Sequence, residues 1–175
     1  MDHYQPESLF EFQPLGSAMR FAEEIGEIIN HAPMFDGLNF QEVKAMCSFM
    51  NCYAAERGSV LIKEGEQGAS LLIVLTGSVD VVKLNSSGKS VRVATVGPGQ
   101  TLGEMSLVDG QRRFATCIAD EPVDFALLTR AALNEILMVH PRLGNKVLLL
   151  LLCLFTRRLR HAIGLAMPNM VEYAV

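Results

Sequence analysis

At 175 residues and 19.2 kDa the chain has room for one domain with a short extension, and not for two complete ones. Half of its residues are hydrophobic, 19% are charged and the mean hydropathy is +0.26, a balance that excludes a disordered chain and favours a buried core. A formal net charge of −4 and a pI near 5.6 exclude a generally basic, nucleic-acid-coating surface, so any such role needs a dedicated element.

The first stretch, Met1 to Arg20, carries Asp2, Glu7, Glu11 and two prolines without a basic or apolar leader segment, so it does not read as a secretory signal. Ser17 to His31 then places Phe21, Ile25, Ile28 and Ile29 on one helical face. Asn39, with Glu42 three residues on, reads as a capping box opening a second helix through Met50. Nine of the fourteen glycines follow between Gly58 and Gly110, punctuation that signals β-structure. The segments between them, Ser59–Ile62, Leu71–Leu75, Ser78–Lys83, Val91–Thr95, Phe114–Ala119 and Val123–Leu128, are short and aliphatic or β-branched, as strands are. Asn85-Ser86-Ser87-Gly88 supplies a hairpin loop. No helical crossover fits the gaps, so the sheet is expected to be antiparallel and closed or double-layered.

Arg130 to His140 suits a helix ended by Pro141, and Arg142 to about Ile163 a longer one. The apolar run Val147 to Phe155 is far short of the roughly 20 residues that span a bilayer, so no membrane span is expected. In the long helix, Leu143, Val147, Leu150 and Leu154 make one apolar stripe, and Leu148, Leu152, Phe155 and Leu159 a second. The second stripe is expected to meet its own copy in a homodimer through the 142–163 helix, the alternative being cover by the N-terminal helices of the same chain. Arg142, Lys146, Arg157, Arg158 and Arg160, with no acid among them, read as a solvated helix end. The fold expected is α+β: an antiparallel β-roll or jelly roll flanked by N-terminal helices and a long C-terminal helix. Residues 1–32 form an extension and helix, 33–165 the main domain with its dimerisation helix, and 166–175 a tail.

Chemistry concentrates in Gly97-Pro98-Gly99-Gln100-Thr101-Leu102-Gly103-Glu104-Met105-Ser106-Leu107, followed by Arg112-Arg113-Phe114-Ala115-Thr116. A glycine turn runs into a short helical segment at Glu104–Val108, whose free N–H groups and positive dipole end suit a phosphate. Arg113, just before a strand, can bring its planar fork to the same anion. Glu104 makes sense beside a phosphate if the ligand also presents a hydroxyl donor such as a ribose 2′-OH. Cradle, arginine and glutamate together describe a cyclic nucleotide.

Over roughly Pro33 to His161 the chain resembles the cyclic nucleotide-binding domain family of bacterial catabolite activator-type regulators, kinase regulatory subunits and nucleotide-gated channels. Gly58-Ser59-Val60-Leu61-Ile62-Lys63-Glu64-Gly65-Glu66-Gln67-Gly68-Ala69-Ser70 looks like its early strand-and-turn motif, and Leu72 to Val79 like the next strand, turn and strand. Leu102 to Leu107 with Arg113 to Thr116 resembles its phosphate-binding cassette. The resemblance implies ligand contacts at Gly103, Glu104, Met105, Ser106, Arg113, Phe114 and Ala115, with cyclic AMP the first expected ligand and cyclic GMP or a cyclic dinucleotide the alternatives. The chain departs from the family at Phe114, where a small or hydroxyl residue is usual and where a ring could stack on a base or shrink the pocket. It departs again after Arg157-Arg158-Leu159, where Arg160, His161, Ala162 and Ile163 stand in place of hydroxyl residues that reach the purine.

The function expected is a sensor that couples cassette occupancy to movement of its C-terminal helices and signals to a downstream protein. The alternatives are a ligand-free dimerisation module or the effector domain of a transcription regulator. Met167 to Val175 are too few for a helix-turn-helix, so direct DNA reading is not expected. His3, His31, His140 and His161 all lie outside the strand block and no nucleophile–base pair is legible, so neither a metal site nor an enzyme is expected. Four cysteines without a C-x-x-C suggest a reducing, cytoplasmic setting.

Overall fold

The computed structural model of the protein describes residues 12–30, 35 and 37–166. The acidic positions before Phe12, His31, Pro33 and the expected tail beyond Ala166 lie outside the described residues. In chain order the elements are β1 (Gln13–Ser17), a 3-10 turn (Ala18–Phe21), α1 (Ala22–Asn30), α2 (Phe40–Cys47), β2 (Asn51–Ala55), β3 (Val60–Ile62), β4 (Ser70–Val74), β5 (Val79–Leu84), β6 (Ser90–Val96), β7 (Thr101–Leu102), α3 (Glu104–Asp109), β8 (Thr116–Ala119), β9 (Val123–Thr129), α4 (Arg130–Val139) and α5 (Pro141–Ala166). A five-stranded sheet, β1-β2-β9-β4-β7, faces a four-stranded sheet, β3-β8-β5-β6, and every strand pair is antiparallel.

The expected double-layered roll is present, with one correction to its order. A strand, β1, precedes the first helices and pairs with β2, itself unforeseen because the helix opened by Asn39 stops at Cys47 rather than Met50. The Asn39 side chain accepts from Glu42 N at 3.0 Å while Glu42 accepts from Asn39 N at 2.9 Å, so two orphan amides of α2 are satisfied reciprocally. The Asn85–Gly88 loop closes β5 onto β6 as expected, with Asn85 Oδ1 accepting from Ser87 N and Lys89 N, and Gly88 at φ 75.

Two apolar layers follow from the alternation of side chains along β4 and β9. Leu72, Val74, Phe125 and Leu127 face the second sheet and pack with Leu61, Val79, Val96 and Leu102. Leu71, Ile73, Ala126 and Leu128 face the other way, onto Ile25, Ile29, Val43, Met46, Leu133, Ile136, Leu143, Val147 and Leu151 of the helices. A sheet covered on both faces explains why β4 reads as a continuous apolar run and is buried at all five positions. Each such aliphatic side chain contributes about 1.5–3 kcal/mol on burial.

The helix α5 therefore has a buried stripe, Leu143, Val147 and Leu151, with Leu150 and Phe155 packed alongside. Lys146 ties its first turns to the α2 cap, 2.7 Å from Glu42 and 3.1 Å from Gly37 O. The second stripe expected from the sequence is exposed at Leu148, Leu152 and Leu159, while Phe155 belongs to the buried side. Among the described residues, the N-terminal helices do not cover it.

Candidate functional site

The short strand β7 runs out at Gly103, whose φ of 81 lies in the left-handed region that glycine alone enters without strain. That turn starts α3 with no side-chain cap, and a first helical turn has no intrahelical acceptors for its N–H groups. Glycine is needed there for space too, since a Cβ on Gly103 would lie 2.4 Å from Arg113 Nη1 and 2.9 Å from Ser70 O.

Arg113 reaches this point from the loop between α3 and β8. Its backbone is fixed against the loop after β3, with Arg113 N donating to Glu66 O at 2.8 Å and Gly65 N donating to Arg113 O at 2.9 Å. The guanidinium is buried: Nη1 donates to Ser70 O at 2.7 Å and to Gly103 O at 3.0 Å, and Nη2 donates to Ser70 Oγ at 2.9 Å. Gly68 closes the other side, where a Cβ would sit 2.0 Å from Arg113 Nε. Two glycines thus make the slot that the arginine fills.

Glu104, the first residue of α3, is 2% exposed, and Ser106 equally so. Its Oε1 accepts from Arg158 Nη1, and Arg158 Nη2 also donates to Thr101 O at 3.2 Å. The other carboxylate oxygen, Oε2, is buried with no hydrogen-bond partner among the described residues. An unmatched buried carboxylate oxygen carries a desolvation penalty, and a donor supplied by a ligand would relieve it. Partial burial lowers the Arg158 pKa from the ordinary guanidinium value.

Of the residues singled out from the sequence, the structure brings Gly103, Glu104 and Arg113 together, and neither charged group is on the surface. Ser106 and Ala115 are buried, and Met105 stands exposed on α3. The Phe114 ring is elsewhere: it is 59% exposed, with Lys83 Nζ 4.3 Å from its centroid and Lys83 in turn bound to Glu64 and to Phe114 O. The ring therefore neither fills the space beside Arg113 nor joins Glu104. Arg112 donates to Gly65 O at 2.7 Å and is exposed, as a solvated residue would be.

Arg158 is the residue that the sequence reading passed over, and its place among the solvated basic residues of a last turn is corrected. The helix continues to Ala166, so Arg157 to Arg160 are not its last turn. Residue 158 follows Leu151 by seven positions and Phe155 by three, which puts it on the side of α5 that faces the roll, where its guanidinium reaches Glu104. That spacing was the available signal. Ser70 and Gly68 carried none beyond membership of a turn.

The family model of the cyclic nucleotide-binding domain matches residues 54–140. The crystal structure of a cyclic nucleotide-binding domain from Methylobacillus flagellatus is 40% identical, covers 99% of this chain and 97% of that one, and superposes with a TM-score of 0.85. The cyclic AMP receptor protein of Thermus thermophilus is 30% identical over 131 residues, 75% of this chain and 59% of that protein. A cAMP-dependent protein kinase regulatory subunit of Yarrowia lipolytica is 26% identical over 116 residues, 66% of this chain and 30% of that protein. The chain thus spans only part of the curated relatives it matches. Among the described residues no helix is long and apolar enough to cross a membrane. The roll, the glycine-built cassette and these relatives agree: the chain belongs to the cyclic nucleotide-binding domain family.

Proposed function

We propose that the chain is a cyclic nucleotide sensor in which occupancy of the cassette is reported through the C-terminal helices. The observation that carries the reading is the buried, unpartnered Oε2 of Glu104 beside a buried Arg113. A ligand with one anionic ester and one vicinal hydroxyl answers both. The cyclic phosphate takes the Arg113 fork and the first-turn amides at Glu104, Met105 and Ser106, with the backbone at Phe114 and Ala115 alongside, and the ribose 2′-OH donates to Glu104. The names of the relatives favour cyclic AMP as that ligand, with cyclic GMP or a cyclic dinucleotide as the other candidates.

Output runs through α5 because Arg158 holds the same glutamate that receives the ribose. A hydroxyl arriving at Glu104 changes what anchors the helix, and ligand shifts the arrangement it binds better. The exposed Leu149, Leu152, Thr156, Leu159 and Ile163 alternate at three and four residues, a heptad seam suited to a second copy of the chain. The protein acts by binding rather than catalysis, in the reducing cytoplasm, and passes the signal to a downstream protein. Calorimetric titration of wild type and Arg113→Ala with cyclic AMP, cyclic GMP and a cyclic dinucleotide tests this. Saturable heat in wild type, lost in the variant, is the expected result; no heat from any of the three with wild type overturns it.

A further inference from the structure

The far end of the cassette helix is gripped by a residue that belongs to another helix. Arg130, the first residue of α4, donates from Nε to Leu107 O at 2.8 Å and from Nη2 to Ser106 O at 2.6 Å. Its backbone N donates to Ala69 O at 2.7 Å, next to the Ser70 that receives Arg113. Gly110, which ends α3 at φ 72, leaves the room for this fork: a Cβ there would lie 2.9 Å from Arg130 Nη1. Beyond Arg130, Thr129 Oγ1 caps α4 by accepting from Ala132 N, and Gly144 brings α5 so close to α4 that a Cβ would stand 2.7 Å from Leu137 Cδ2.

We propose that Arg130 is the positioning residue through which a displacement of α3 reaches α4 and α5, a role regulating the site read above as a cyclic nucleotide site and resting on that reading for its ligand. The six-residue α3 is bracketed by two left-handed glycines, Gly103 and Gly110, so it can pivot as a unit. The Arg130 fork spans two of its carbonyls, Leu107 O and Ser106 O, the second of which also accepts from Gly110 N at 3.1 Å, so arginine and the C-terminal glycine close the helix together. A ligand that settles on the first turn of α3 moves those carbonyls. Because Arg130 opens α4, the first turn of α4 moves with them. Lysine, with a compact point of charge, cannot hold both carbonyls in one plane. Arg130 itself touches no ligand in this scheme.

Hydrogen exchange by mass spectrometry on the full chain, as wild type, Arg130→Lys and Arg130→Met, with and without saturating cyclic AMP, tests the link. In the empty protein Arg130→Met is expected to speed exchange about tenfold in the last turn of α3 and the first turn of α4 together, with Arg130→Lys between it and wild type. An unchanged first turn of α4 overturns the proposal whether or not any nucleotide binds. With cyclic AMP, Arg130→Met is expected to bind within about threefold of wild type and to protect α3, yet to lose the response that wild type shows in 130–155. A full response there in Arg130→Met also overturns it. Absence of binding by wild type defeats the ligand reading instead, and the empty-state comparison then decides the tether. Should Arg130→Met not fold, Arg130→Lys supplies the same comparisons.

Discussion

Replacing Gly68 by alanine adds one methyl group, and the structure places that methyl 2.0 Å from Arg113 Nε, 2.4 Å from Cζ and 2.7 Å from Cδ. The backbone at Gly68 is not in the left-handed region, unlike Gly103, so the substitution tests space and not strain. The arginine has little room toward Gly103, where Nη1 already lies 2.4 Å from where a Cβ would stand. It must leave the slot and give up its bonds to Ser70 O, Gly103 O and Ser70 Oγ. Each hydrogen bond from a charged group contributes about 1.5–3 kcal/mol, and a displaced guanidinium regains part of this in water, so a net cost of about 2–4 kcal/mol is expected. Loss of a charged partner from a buried anion site costs about 2–5 kcal/mol, so affinity for cyclic AMP should fall roughly 30-fold or more. Urea unfolding followed by far-UV circular dichroism reads the first quantity and calorimetric titration the second. Gly97→Ala is the control, since Gly97 has nothing within 4 Å of a Cβ and no positive φ. If Gly68→Ala unfolds at the wild-type midpoint and binds within about threefold of wild type, the slot does not position Arg113 and the reasoning fails.

The heptad seam on α5 predicts a sedimenting species at twice the 19.2 kDa chain mass, and Leu152→Lys should return it to one; a wild-type monomer refutes the seam. Burial pushes Cys47 and Cys117 up to about 12 and Cys52 up to about 11, while Cys153 is exposed, so a thiol reagent at pH 8 should label one of the four cysteines before unfolding and all four after. Those raised values mean the folded state holds its thiol protons after the unfolded chain has begun to lose them. Stability should therefore fall as pH rises from about 9, and a midpoint flat between pH 9 and 11 would contradict the burial of these thiols. Phe125, fully buried between Phe12 at 5.5 Å edge-on and Tyr53 at 5.7 Å stacked, should cost about 3–5 kcal/mol as alanine, and a loss under about 1 kcal/mol by urea unfolding would deny its central place between the sheets.

Six strands were legible because glycine turns isolate short aliphatic runs, and of their pairings the β5–β6 hairpin alone follows from a local signal, the Asn85–Gly88 loop. The strands that escaped lack the signal. β1 contains both Pro14 and Gly16, β7 is two residues long, and β2 reads Asn-Cys-Tyr-Ala-Ala directly behind a helical pattern. Their pairing is dictated by tertiary partners: β2 lies between β1 and β9 with Tyr53 opposite Phe125. Within the site, Gly103, Glu104 and Arg113 stood out because a glycine before a helix and an arginine before a strand are local patterns. Ser70 and Arg158 arrive from 43 and 54 residues away: the first meets Arg113 through the packing of β4 against the loop before β8, the second meets Glu104 through the way α5 lies across the roll. Whether the Phe114 ring lines the pocket was left open by the sequence, and in the structure Arg113 is buried while the Phe114 ring is exposed beside Lys83.

Arg113 is held in place by its own protein, through Ser70 O, Ser70 Oγ and Gly103 O at the mouth of α3. A guanidinium already fixed by these bonds has little rotamer freedom left to lose when it meets an anion. The ordering of that side chain is therefore settled when the chain folds and not when a ligand arrives.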